Sequence, residues 1–136
     1  MKRLSIDESK YSLESRLELA SASGNVRGLI ERFNHGISRL AEELNKYLFA
    51  KTHVCGLTYF ATQTKAFIFL NIRQDFLSLK FYTGKSSIAG LKKANWIQGG
   101  DKSGSSTFRI TNDTTLEKAL DFAKQSLMIT SNLFGT

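Results

Sequence analysis

The chain has 136 residues, 41% of them apolar and 23% charged, with no proline, one cysteine and a formal charge of +7. That length accommodates one domain with one core, so a single domain over 1–136 is expected, and the composition excludes wholesale disorder. With Cys55 alone there is no internal disulfide and no cysteine-built zinc site, and no apolar run approaches the ~20 residues of a membrane helix. The charged start also lacks the continuous apolar stretch of a signal peptide, so a cytoplasmic protein with no membrane partner is expected.

The elements follow in order. In the leading segment, 1–25, Ser5 and Glu8 have capping-box spacing, and Leu13, Leu17 and Ala20 recur at helical intervals, predicting a short leading helix over Ser5–Ala20. From Asn25, a candidate N-cap, the residues Val26, Leu29, Ile30, Phe33, Ile37, Leu40, Leu44 and Leu48 predict one long amphipathic helix over 26–48. Gly36 lies inside it and allows a bend.

The sheet is expected over 54–110. Val54–Ala61 reads as its first strand, with Cys55 packing as a small apolar residue beside Leu57 and Tyr59, and Thr62–Lys65 reads as a hairpin connection. Ala66–Tyr82 reads as two strands folded back at Gln74-Asp75. A two-residue loop sets Ile72 opposite Leu77, Leu70 opposite Leu79 and Ile68 opposite Phe81, all on one apolar face. A four-residue loop also fits, because Gln-Asp is not the preferred turn chemistry. Residues Thr83–Gly104 hold five of the ten glycines, with Ile88, Leu91 and Trp96 as candidate anchors. Ser105–Ile110 reads as the fourth strand, with Phe108 and Ile110 inward and Arg109 outward. Thr114 and Glu117 open a closing helix over 114–129, and a frayed tail is expected from Ser131. The fold class is therefore α+β: a four-stranded antiparallel meander sheet with a shorter leading helix, a long N-terminal helix and a C-terminal helix.

Catalytic constellations are sought and not found. Thr83-Gly-Lys-Ser-Ser87 ends like a phosphate-binding loop, but the position five before Gly84 is Leu79, inside a strand. His35 and His53 lack carboxylates at ligand or triad spacing. His53 and Cys55 share a strand face by period-2 spacing, which permits a nucleophile pair but supplies no orienting third residue. Asp75 and Asp101 stand alone among cations, and Ser78 occupies the place where a metal-dependent nuclease carries an acid before its lysine. No cofactor and no metal are expected, and the chain does not read as an enzyme.

The charge distribution is more informative. Residues 51–109 carry nine basic against two acidic residues, a net of +7, whereas 1–50 carry +1 and 110–136 carry −1. The second face of the central hairpin mixes Phe67, Phe69, Arg73, Phe76, Lys80 and Tyr82, joined by Phe60 and Arg109. Two readings follow. Either a helix covers these rings as a second core layer, which suits most of them, or the rings stack on bases while cations meet phosphates. Under both, the working surface is the rim and the loop after Tyr82, with Arg73, Lys80, Lys85, Lys92, Lys93, Lys102 and Arg109 as candidate phosphate contacts.

Taken together, TYFATQTKAFIFLNIRQDFLSLKFYTG followed by GSSTFRITNDTTLEKALDFAKQSL resembles a prokaryotic domain-of-unknown-function family often labelled "predicted transport protein". Tyr59, Phe67, Phe69, Leu79, Phe108, Leu116 and Leu120 match its apolar pattern, and YSLESRLELASASGNVRGLIERF is similar to its leading segment. Domains of this family occur alone or behind restriction-endonuclease-like modules, which implies work on or near DNA. The family has no assigned catalytic residues. The expectation is a basic accessory module that binds DNA or RNA through phosphates. The alternative is a protein-interaction or dimerisation module, a homodimer formed through the aromatic sheet face, and a third is an enzyme or small-ligand binder using the neighbourhood of Cys55 and His53.

Overall fold

The computed structural model describes residues 3–94 and 103–134. Along them run β1 (Leu4–Asp7), α1 (Leu13–Leu19), α2 (Gly24–Glu43), β2 (Leu48–His53), β3 (Gly56–Phe60), β4 (Ala66–Ile72), β5 (Leu77–Phe81), β6 (Lys93–Ala94), β7 (Gly104–Ser105), β8 (Phe108–Ile110) and α3 (Asp113–Phe134). Six strands form one sheet in the order β1-β2-β3-β4-β5-β8, and β6 pairs with β7 in a separate ribbon. β1 is parallel to β2, reached by a crossover through α1 and α2, and the remaining neighbours are antiparallel. The fold is thus α+β, as expected. The sheet is six-stranded and mixed rather than a four-stranded antiparallel meander, although the expected strands survive within it as the antiparallel run β3-β4-β5-β8.

The additional strands have local causes. α2 ends at Glu43 rather than 48 because Asn45 takes a left-handed conformation (φ 54°). The N–H of Asn45 then donates to Glu42 O and that of Lys46 to Ala41 O, a closed C-terminal turn that frees Leu48–His53 to become β2. The i, i+4 spacing of Leu44 and Leu48 hides this stop. Residues 4–7 of the leading segment are strand, not helix, and α1 is capped by Ser12, whose hydroxyl accepts from Ser15 N, rather than by Ser5. Glu8 instead accepts from Leu13 N. Likewise Ser23, not Asn25, caps α2, and Asn112, not Thr114, accepts the N–H of Thr115 at the start of α3.

One face of the sheet is apolar but for the buried Thr52. Residues directly opposite one another in the ladders share a face, so Leu48, Ala50, Leu57, Tyr59, Ile68, Leu70, Ile72, Leu77, Leu79, Phe81 and Ile110 all lie on it, and all are buried. The helices pack here: Phe33 of α2 meets Tyr59 edge-on at 5.6 Å, and Phe122 of α3 meets Phe81 at 6.0 Å and Phe108 at 5.1 Å. Each fully buried Leu, Ile or Phe of this layer contributes about 1.5–3 kcal/mol relative to exposure. The central register is Ile72–Leu77, Leu70–Leu79 and Ile68–Phe81, and Arg73 N–H donates to Phe76 O at 3.0 Å, closing a two-residue Gln74-Asp75 loop.

Gly36 does not interrupt α2, which is one helix over Gly24–Glu43. It lets α3 approach, because a Cβ there would lie 2.6 Å from a methyl of Leu120. At the far end of the hairpin a bulge between Tyr59/Phe60 and Ile68/Ala66 leaves Phe67 unpaired on β4. Ser126 of α3 fastens that end, its hydroxyl lying 3.1 Å from Phe67 O and 2.6 Å from Tyr82 O. Helix α3 then continues past the expected 129 to Phe134, whose ring meets Tyr82 at 5.9 Å, so Ser131–Phe134 is an ordered turn and not a frayed tail. The expected fourth strand over Ser105–Ile110 is divided: Gly104–Ser105 pairs with β6, and only Phe108–Ile110 joins β5. Of the anchors in the glycine-rich segment, Ile88 is buried and Leu91 half-buried, while Trp96 lies outside the described residues. Among the described residues no helix is long and apolar enough to cross a membrane.

Candidate nucleic-acid interface

Alternation along the strands builds the opposite face as cross-strand rows. One row runs Asp7, Lys51, Thr58, Phe69, Lys80, and the next runs His53, Gly56, Asn71, Ser78, Arg109. Towards one end lie Phe49 and Phe60, stacked at 4.7 Å with planes 5° apart. Towards the other, the Arg109 guanidinium carbon sits 4.3 Å above the Phe76 ring centroid. The named aromatic contacts between helix and sheet fall on the apolar face or at the Tyr82 end, so the helical cover expected over most of the rings is found only at that end. Phe67 and Tyr82 are buried at the hairpin end, whereas Phe49, Phe60, Phe69 and Phe76 are half-buried on the face.

The candidate cations divide into three places. Lys80 and Arg109 share the face, and Arg109 is exposed. Arg73 is exposed beside the Gln74-Asp75 turn, at the end of β5 opposite Lys85 and Lys92, which are exposed in the segment after Tyr82. The five residues of β5 at about 3.3 Å each hold those ends about 16 Å apart, so these side chains form no single cluster. Lys102 lies outside the described residues. Lys93 is engaged internally: its ammonium donates to Ser86 O at 2.8 Å, to Thr83 Oγ1 at 3.3 Å and to Gly84 O. The Thr83–Ser86 turn therefore presents carbonyls to a lysine, and the N–H groups of Thr83 and Gly84 both donate to Ser103 O. A phosphate-cradling loop needs those amides pointing outward, so this turn is not one.

Lys51 escapes the sequence reading as a site residue. Residues 48–53 look like the end of a helix plus a loop, yet Leu48, Ala50 and Thr52 alternate with Phe49, Lys51 and His53. That period of two is the signal which finds the strand and its outward cation.

Charge is segregated between the layers. The helices carry eight carboxylates against six cations, three of which are paired: Arg27–Glu14 at 2.7 Å, Arg32–Asp113 at 3.1 Å and Lys124–Glu43 at 2.9 Å. On the sheet face, among the described residues, Lys51, Lys80 and Arg109 form no ion pair, and Asp7 on the edge strand is the only carboxylate in its rows. The Asp7 carboxyl is held below its usual range by hydrogen bonding from Ser9, with a smaller contribution from Lys51.

His53 and Cys55 sit where β2 turns into β3. Cys55 is exposed in the turn and does not pack as a core residue. Its N–H donates to His53 Nδ1 at 3.1 Å, so Nδ1 is unprotonated and the proton of the neutral ring is on Nε2, which is buried without a partner. Desolvation lowers the His53 pKa, opposed by a smaller effect of the Leu57 backbone. The contact joins the cysteine amide, not its sulfur, to the imidazole, and so does not activate a nucleophile. Among the described residues no group of three His, Cys, Asp or Glu side chains is placed to hold a metal. Tyr59, fully buried, donates to Asn34 Oδ1, and desolvation pushes its phenol well above the usual range.

A helix-backed mixed sheet with a cationic, partly aromatic second face is what the fold and the site together define. Comparison with protein-family models, with curated proteins and with solved structures returns no match for this chain.

Proposed function

We propose that this chain is a basic nucleic-acid-binding module, taking DNA or RNA phosphates on Lys51, Lys80 and Arg109 across the sheet face, with Arg73, Lys85 and Lys92 extending the contact at its two ends. The observation that carries the reading is the segregation of charge: the three helices carry eight carboxylates against six cations, while the sheet-face rows hold Lys51, Lys80 and Arg109 against Asp7 alone. A surface with one sign of charge in excess attracts polyanions. Arg109 is well suited to the task, because a guanidinium held over the Phe76 ring stays exposed and loses fewer rotamers on meeting a phosphate. The resemblance to domains that accompany endonuclease-like modules supports the same direction.

A fluorescence-anisotropy titration with a labelled single-stranded oligonucleotide tests the proposal. Affinity should fall with salt at a log–log slope of about −0.7 per phosphate neutralised. Lys80→Ala and Arg109→Ala should each weaken binding and reduce the slope, while Lys118→Ala on the helical layer should do neither. Equal effects at all three positions, or no binding at low salt, would refute it.

A further inference from the structure

The first strand of the sheet, β1, has a partner on one side only. Leu48 N–H donates to Arg3 O at 2.8 Å, and this bond sets the phase of the parallel ladder. In that phase the amides of Ser5 and Asp7 serve β2, and the N–H and C=O groups of Leu4 and Ile6 point to the free edge. Among the described residues nothing pairs with them, and no proline, bulge or inward charge blunts the edge.

The segment Arg3-Leu4-Ser5-Ile6-Asp7 is complementary to its own reverse. We infer that β1 pairs antiparallel with β1 of a second copy about a two-fold axis through Ser5, making a homodimer with one continuous sheet. In this register Leu4 of each chain faces Ile6 of the other, and these are the residues whose amides are unspent. Each such pair can exchange both N–H···O bonds. Their side chains meet on the apolar face, beside a groove of about 670 Å³ lined in part by Leu4, Ile6, Leu13, Leu17 and Ile30.

On the other face Arg3 of each chain comes opposite Asp7 of the other. Asp7 Oδ1 accepts Ser9 N–H at 2.9 Å, and the carboxylate is exposed at the edge, within reach of a guanidinium. Arg3 is already steered by the Tyr47 ring, 4.3 Å from its guanidinium carbon, with Nη1 at 3.4 Å from Asn45 Oδ1. The register centred on Ile6 would set Leu4 against Glu8 and Ser5 against Asp7, losing both complementarities. The charge pattern selects the pairing through Ser5 and selects a second copy as occupant, because the same five residues supply both halves. An axis normal to the sheet also leaves the two cationic faces on one side of the dimer. The pairing stands on the edge alone and does not depend on nucleic-acid binding.

Sedimentation equilibrium of the full chain tests it, with circular dichroism to check that each variant is folded. Wild type should dimerise. Arg3→Asp alone and Asp7→Arg alone should each weaken the dimer about tenfold by opposing like charges, and Arg3→Asp combined with Asp7→Arg should restore it. Ile6→Pro should give a folded monomer, since the N–H it removes faces the free edge and not β2. A wild type that is monomeric at millimolar concentration would overturn the inference and leave the edge to a peptide from another protein. A dimer indifferent to the charge reversals and to Ile6→Pro would overturn it as well.

Discussion

The Arg109 guanidinium carbon lies 4.3 Å from the centroid of the Phe76 ring, across the pairing of β8 with β5. The ring restrains a cation that would otherwise sample many rotamers, at an exposed site where such a contact stabilises by about 0.5–1 kcal/mol. Phe76→Leu should therefore weaken nucleic-acid binding two- to fivefold (roughly, from that energy) without removing a charge, and it should leave the salt slope unchanged. Anisotropy titrations at several salt concentrations separate these effects from those of Arg109→Ala, which should lower the slope.

Lys93 is a structural lysine. With Ser86 O, Gly84 O and Thr83 Oγ1 around its ammonium, Lys93→Met leaves those acceptors without their charged donor. A loss of about 1–3 kcal/mol is expected in urea unfolding, with little change in oligonucleotide affinity at temperatures where the variant is folded. Lys85→Ala and Lys92→Ala should behave oppositely, keeping stability and lowering affinity slightly.

His53 makes stability fall with acid. Its pKa in the fold is below the ordinary 6.5, chiefly through desolvation, so the unfolded chain binds more protons as pH drops through that value. The contribution is fully present above pH 6.5 and is lost as pH falls toward the lowered folded pKa. Protonation of Nδ1 would also break the Cys55 N–H contact. Thermal unfolding midpoints between pH 7.5 and pH 5 (roughly one unit above and below the usual imidazole value) should show this fall in wild type and a flatter profile in His53→Gln.

Gly56 is fixed by the backbone of β4. A Cβ there would lie 2.2 Å from Leu70 O, a main-chain atom that the ladder on both sides holds in place. Gly56→Ala should cost about 3 kcal/mol or more, at the upper end of overpacking effects. Gly36→Ala meets only the end of the Leu120 side chain, so its cost should be smaller and should be relieved in a Leu120→Ala background, as a double-mutant cycle in urea would measure.

What was legible followed from periodicity. Strict alternation in Ile68–Ile72 and Leu77–Phe81 specified both the core face and the pairing partners, because a one-residue slip would turn every side chain to the other side. The 3.6-residue repeat from Val26 to Ile37 specified α2 equally well. What was missed depends on long-range pairing or on one backbone conformation. Leu4–Asp7 is too short to show a period and becomes a strand only because β2 lies beside it. Asn tolerates the left-handed conformation better than most residues, but Leu44 and Leu48 continue the helical spacing across Asn45, whose φ of 54° divides a helix from a strand and places Lys51 on the sheet face. Composition placed the positive charge on the sheet region. It could not reveal that Lys93 is bonded to the Thr83–Ser86 turn.

The most direct measurement is the salt dependence of oligonucleotide affinity for wild type beside the triple variant Lys51→Ala, Lys80→Ala, Arg109→Ala. Removing three phosphate contacts should lower the magnitude of the log–log slope by about 2, with affinity falling most at low salt. A triple variant that stays folded and keeps the wild-type slope and affinity would contradict the assignment of this sheet face as the nucleic-acid surface.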